Sequence, residues 1–183
     1  MALQTRFAPE EYLELEAKAQ HKSEYRNGEI IPATGGTTNH NEISLNLATY
    51  LRYNLRKQDY RVYMADVRLW IPRYRVYTYP DVMLISGEPI YTDKSKTTVT
   101  NPITIAEVLS PSTQNYDLRE KFNYYRSLPE LSEYLLIFQQ RHHIMQYVKT
   151  EAGWLLSEYE SATINLAVGL SLEIAELYSG VEF

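Results

Sequence analysis

Apolar positions along this chain follow two periods. Over residues 37–58, "TTNHNEISLNLATYLRYNLRKQ", Ile43, Leu47, Tyr50, Leu51 and Leu55 recur at close to 3.6 residues. That spacing predicts an amphipathic helix, and a threonine ahead of it can cap it. "FAPEEYLELEAKA" (7–19) reads as a shorter helix, with Pro9 in its first turn beside Glu10 and Glu11. Asn27-Gly28 in "SEYRNGEIIPA" is a strong hairpin-turn pair and predicts a short strand on each side. A period of two takes over in "RVYMADVRLWI" (61–71), where Tyr63, Ala65, Val67, Leu69 and Ile71 fall on one face and Asp66 on the other. "YPDVMLIS" (79–86), entered through Pro80, and "ITIAEVLS" (103–110) are short apolar runs expected to be buried strands. "YDLREKFNYYRSLPE" (116–130) predicts a second amphipathic helix, with Asp117 and Glu120 at capping-box spacing and Pro129 at its end. "EYLLIF", "HHIMQYV" and "WLLSEY" predict three strands at meander spacing, and "SLEIAELYSG" a terminal helix. This interleaving predicts an α/β or mixed α+β layered sheet.

The 183 residues carry no repeat or linker, so a single domain over residues 1–183 with a sizeable core is expected. The chain has no cysteine, which excludes disulfides, Cys-ligated zinc, iron–sulfur clusters and thiol catalysis. Its first residues lack the apolar stretch of a signal peptide, and no apolar run is long enough to cross a membrane. A cytoplasmic location without a membrane partner is the expectation. The formal net charge of −5 argues against a broad nucleic-acid-binding surface but leaves room for a local basic groove. G-x-S-x-G, P-loop, G-x-G-x-x-G and H-E-x-x-H motifs are all absent from the sequence.

Glu107 stands in the middle of the apolar run 103–109. Burying an unpaired carboxylate is costly, so something must compensate it. Side chains alternate across a strand, which groups Glu107 with Ile103, Ile105 and Leu109, and groups Asp81 with Met83 and Ile85. If the two strands are neighbours, Asp81 and Glu107 converge, and each raises the pKa of the other. A divalent cation, Mg²⁺ or Mn²⁺, removes that repulsion, with water and a substrate phosphate completing its shell. In the following helix, Leu118, Phe122 and Tyr125 sit at i, i+4 and i+7, and Lys121 belongs to the same stripe. Its ammonium would balance buried carboxylates, and it could position a water or steady charge on a phosphate. Asp66, off the apolar face of its strand, has two places open to it: the cation cluster or solvent.

"YPDVMLIS" followed by an acidic strand residue resembles the PD-(D/E)XK nuclease superfamily. The ordered set "SEYRNGEI", "NH", "PDVMLISGEP", "TVTNPITIAEVLSPST" and "YDLREKFNYYRSLPELSEYLLI" is similar to its bacterial branch of restriction-endonuclease-like proteins, roughly from Phe7 to Leu177. The resemblance implies a restriction-endonuclease-like fold, a mixed central sheet flanked by helices. It also implies a metal-dependent endonuclease acting on nucleic acid, DNA in particular. Asp81 and Glu107 match the motif's acids as catalytic residues and metal ligands. The motif's lysine position holds Leu109, so either catalysis is lost or another residue substitutes, and Lys121 on the next helix is the candidate. His40 and Glu24 also match family positions. His40 would contact a phosphate or the waters of the metal, or else support the helix end; Glu24 would be an outer ligand. A homodimer is the expected assembly. The alternatives are a non-catalytic binding or assembly protein on the same fold and a small-molecule phosphohydrolase.

Overall fold

The structure is a computed structural model, and it describes residues 6–33, 35–110 and 116–183. The "PST" end of the motif stretch, residues 111–113, lies outside them. The chain opens with α1 (Pro9–Glu16), started by Pro9 and by the Glu11 carboxylate accepting from the Ala8 N–H at 2.6 Å. β1 (Ser23–Arg26) and β2 (Glu29–Pro32) form the expected hairpin. Its turn places Asn27 and Gly28 at φ 45° and 109°, the left-handed conformations that Asn-Gly adopts cheaply. α2 (Thr38–Leu55) follows, capped by Thr37 as expected.

β3 (Tyr60–Met64), β6 (Val82–Ser86), β8 (Thr104–Leu109), β9 (Glu133–Phe138), β10 (Ile144–Thr150) and β11 (Gly153–Tyr159) build a six-stranded sheet in the order β11-β10-β9-β8-β6-β3. The β8–β9 pair is parallel and the other pairs are antiparallel, so the sheet is mixed. All six residues of β8 are buried, as a central strand covered on both faces requires. One face packs α2 through Ile43, Leu47, Leu51 and Leu55, together with the hairpin of β12 (Thr163–Asn165) and β13 (Ser171–Glu173) and the short α4 (Ile174–Leu177). On the other face a second sheet is laid, in the order β2, β1, β5 (Val76–Thr78), β4 (Arg68–Ile71) and β7 (Thr98–Val99). A 3-10 turn at Pro72–Tyr74 lies between β4 and β5. Tyr12, Tyr25 and Tyr77 seal α1 onto this second sheet. This is the mixed α+β architecture with flanking helices that the sequence predicts.

Three expectations need correction. Residues 61–71 are not one strand: Ala65 turns the chain at φ 32°, so β3 stays with β6 and β4 crosses to the second sheet. The helix at 116–130 opens as a π-helical turn, Asp117–Lys121, before one α-helical turn, α3 (Phe122–Tyr125). The terminal helix begins only at Ile174, because residues 171–173 pair as a strand.

Candidate active site

Two neighbouring strands begin the site. β6 and β8 are antiparallel with Val82 opposite Ala106, and one step further in that register sets Asp81 opposite Glu107. Asp81 Oδ2 accepts from the Val108 N–H at 2.8 Å. His40 Nε2 stands 3.1 Å from the same oxygen. It reaches there from the first turn of α2, where its N–H donates to Thr37 Oγ1 at 3.1 Å. Gly36 lies against the imidazole: a Cβ there would sit 2.9 Å from His40 Nδ1, so glycine is what lets the loop close over the ring.

Glu107 is 3% exposed. Its Oε1 accepts from Lys121 Nζ at 2.9 Å and from the Tyr125 hydroxyl at 2.5 Å. Lys121 Nζ is also 3.0 Å from Asp117 Oδ1 and 4.0 Å from Glu24 Oε1. Glu24, on β1, is fixed by Thr78 Oγ1 at 2.5 Å and by the Arg26 guanidinium at 2.6 Å. The site is therefore assembled from β1, α2, the start of β6, the middle of β8 and the π turn.

Burial pushes the Glu107 carboxyl well up, and the charges of Asp81 and Asp117 push the same way against the pull of Lys121. Burial would lower the Lys121 ammonium, but Glu107, Glu24 and Asp117 outweigh it and hold it charged well above its ordinary range. Burial raises Glu24 less than Lys121, Thr78 and Arg26 lower it, so it ionises below the usual glutamate value. For His40, burial is outweighed by the hydrogen bond and charge of Asp81, and its pKa rises above 6.5. The His40–Asp81 pair thus stabilises the metal-free protein fully below pH 6.5, and that increment fades as pH rises through the raised value. Thermal melts in EDTA should show this loss in wild type, and His40→Asn should flatten it. An equal slope in both proteins would remove His40 from the account.

Glu24, His40, Asp81, Glu107 and Lys121 are brought together, and Asp66 does not join them. Released by the turn at Ala65, the Asp66 side chain is 88% exposed and pairs with Lys22 at 2.7 Å. Asp117 is not the expected helix cap: it is 2% exposed and faces Lys121. The sequence signal for that role was the i, i+4 spacing of Asp117 and Lys121, with Tyr125 another four residues on. Leu109 points into the core, 3% exposed.

Among the described residues, no group of three or more His, Asp or Glu side chains is arranged to hold a metal ion unaided. Asp81 and Glu107 nonetheless fit a hard divalent cation. Mg²⁺ uses one or two carboxylates and leaves the rest of its shell to water and phosphate. The surroundings agree among the described residues: three carboxylates, Glu24, Glu107 and Asp117, face Lys121, Asp81 has only His40 as its ion-pair partner, and Asp117 Oδ1 is buried with the lysine ion pair and no hydrogen bond.

A mixed sheet flanked by helices, with Asp81, Glu107 and Lys121 gathered at one place, is the arrangement the restriction-endonuclease-like resemblance implies. Residues 9–176 match the family Uma2, described as "Putative restriction endonuclease", and the chain belongs to that family. Two relatives from Synechocystis are similar over most of its length. Uncharacterized protein sll1609 is 46% identical over 149 residues, 81% of this chain and 84% of that one. Uncharacterized protein slr1290 is 35% identical over 181 residues, 97% of this chain and 94% of that one. In fold, the chain is similar to a crystal structure from Anabaena variabilis, described as a putative nuclease belonging to DUF820. That likeness has a TM-score of 0.77 at 18% identity and covers 94% of this chain and 98% of that one.

Among the described residues, no helix is long and apolar enough to cross a membrane.

Proposed function

We propose that this chain is a nuclease of the PD-(D/E)XK superfamily, in the branch whose lysine has moved to the following helix. It would hydrolyse phosphodiester bonds of nucleic acid, DNA in particular, with Mg²⁺ or Mn²⁺ at Asp81 and Glu107. The observation that carries this reading is Lys121. It leaves a π-helical turn, buries its ammonium and places Nζ 2.9 Å from Glu107 Oε1. Leu109, at the motif's lysine position, is committed to the core, so the charge comes from elsewhere in the chain.

A divalent cation bound there supplies Lewis-acid polarisation of the phosphodiester and lowers the pKa of a water. The rest follows from the chain's own groups. Asp81 is held in place by the Val108 N–H, and Glu107 by the Tyr125 hydroxyl, so neither has to reorganise on binding. The Lys121 ammonium would offset the negative charge that a phosphorane-like transition state develops beyond that of the ground state. His40, hydrogen-bonded to Asp81 and so held more readily protonated than a free imidazole, can hold a proton at Nε2.

Calorimetry with Mn²⁺ tests the reading directly. Wild type should bind, and the double variant Asp81→Ala with Glu107→Ala should not. A folded wild type that binds no Mn²⁺, alone or with an oligonucleotide present, would favour a non-catalytic protein on this fold.

A further inference from the structure

From the site a ladder of rings and guanidinium groups runs outward. The Arg26 guanidinium, bound to Glu24, lies over the Tyr116 ring at 3.5 Å. Tyr116 meets Tyr124 at 6.4 Å between centroids, and Tyr124 meets Tyr74 at 5.0 Å. Arg73 lies 5.8 Å from the Tyr74 ring and closes the series. The inner end touches the site a second time, with Lys121 Nζ 5.6 Å from Tyr116.

These rings differ from the tyrosine cluster beneath α1. Tyr12, Tyr25 and Tyr77 are buried and serve as core. Tyr74, Tyr116 and Tyr124 are only partly covered. Tyr116 is held by ring contacts and not by its hydroxyl, which has no hydrogen-bond partner. Exposed Arg73 stands beside Tyr74 in the chain and exposed Arg119 lies on the π turn that precedes Tyr124; Arg126 lies over the Phe122 ring at 5.7 Å, outside the series. Glu120, 3.4 Å from the Tyr124 hydroxyl, is the acid among them.

We propose that this ladder is a binding surface for single-stranded nucleic acid, its bases stacking on Tyr124 and Tyr74 and its phosphates meeting Arg73 and Arg119. Base stacking on aromatics with arginines tracking the backbone is the usual means of holding a single strand. The net charge of −5 makes this choice sensible. A chain that repels polyanions overall gains from the uncharged affinity of π-faces. A base-paired duplex hides those faces in its stack, so the surface selects for unpaired strands. The inference rests on the nuclease reading for the class of substrate and adds the strand state to it.

The test is fluorescence anisotropy in EDTA, where a metal-dependent nuclease does not cut. Labelled oligo(dT) and a duplex of equal length are titrated with wild type, Tyr124→Ala, Tyr74→Ala and Tyr124→Phe. Wild type should prefer the oligonucleotide. Each alanine variant should bind it about tenfold or more weaker, the range expected per stacked base, with duplex binding changed less than about twofold. Tyr124→Phe, which keeps the ring, should match wild type. Preference for duplex, equal loss on both ligands, unchanged oligonucleotide binding in both alanine variants, or no binding at all would each overturn the proposal. Mn²⁺ calorimetry on the same proteins keeps the two readings apart. Retained Mn²⁺ binding with unchanged oligonucleotide binding removes only the ladder, whereas no Mn²⁺ binding in any of them removes the nuclease reading.

Discussion

Lys121→Met is expected to lower cleavage by about 100-fold or more, while Mn²⁺ still binds at Asp81 and Glu107. The estimate is that for removing one preorganised group aimed at developing charge. The buried position of Lys121 gives the same variant a second signature that does not depend on activity. Its ammonium is the cation that Glu107 Oε1 and Asp117 Oδ1 share, at 2.9 and 3.0 Å. Stripping one partner from a buried charge cluster costs about 3–5 kcal/mol. At about 2–4 °C per kcal/mol for a chain of this size, the metal-free variant should melt about 6–20 °C below wild type. Mn²⁺ replaces the lost positive charge, so it should raise the Tm of Lys121→Met more than that of wild type. Lys121→Arg keeps a charge and should lose less on both counts. A variant that cleaves like wild type, or that gains no more from Mn²⁺, would take Lys121 out of the site.

Much of this was legible before any coordinates, and the reasons for the remainder are physical. α2 announced itself because eighteen residues are enough for a 3.6 period to rise above chance. The Asn27-Gly28 hairpin was legible because its turn chemistry is local. Asp81 and Glu107 could be paired on paper because alternation assigns faces inside each strand, and only the neighbour relation was left open. The second sheet was hidden for the opposite reason: β4, β5 and β7 are four, three and two residues long. Too short to show a period, they are held by tertiary contacts. The same shortness let residues 61–71 read as one strand and left Asp66 open between the cation cluster and solvent, the second of which it occupies. Ala65 at φ 32° has no sequence signature, since alanine is not a residue that favours a left-handed turn. Asp117 was misread by the rule that served elsewhere. At the head of a helix an aspartate is usually a cap, but a π turn with a buried lysine four residues on draws it inward.

A second buried glutamate shows what separates a structural acid from a site acid, and it carries the last expectation. Glu133 on β9 is 0% exposed, more buried than Glu107. Yet its hydrogen-bond partners are neutral donors: Gln146 Nε2 at 2.6 Å and the Ala167 N–H at 3.1 Å to Oε1, and Thr104 Oγ1 at 3.1 Å to Oε2. Those bonds tie the sheet at β8, β9 and β10 to the segment following β12. Glu133→Ala leaves the buried Thr104 hydroxyl and the Ala167 N–H without this acceptor and takes one bond from the Gln146 amide, which still donates to the Asn165 carbonyl at 2.9 Å; each loss costs about 1 kcal/mol or more, and the truncation opens a cavity besides. A loss of about 3–5 kcal/mol is expected, lowering Tm by about 6–20 °C, with Mn²⁺ binding unchanged. The pH dependence has a definite sign. Burial raises the Glu133 pKa above its ordinary 4.5 despite the three hydrogen bonds, so its contribution is fully present below that value and declines as pH rises through the raised one. The gap between wild type and variant should accordingly narrow with rising pH in thermal melts. A gap that widens would mean that Glu133 is held as a carboxylate against the burial that raises it, and its reading as a structural acid met only by neutral donors would fall.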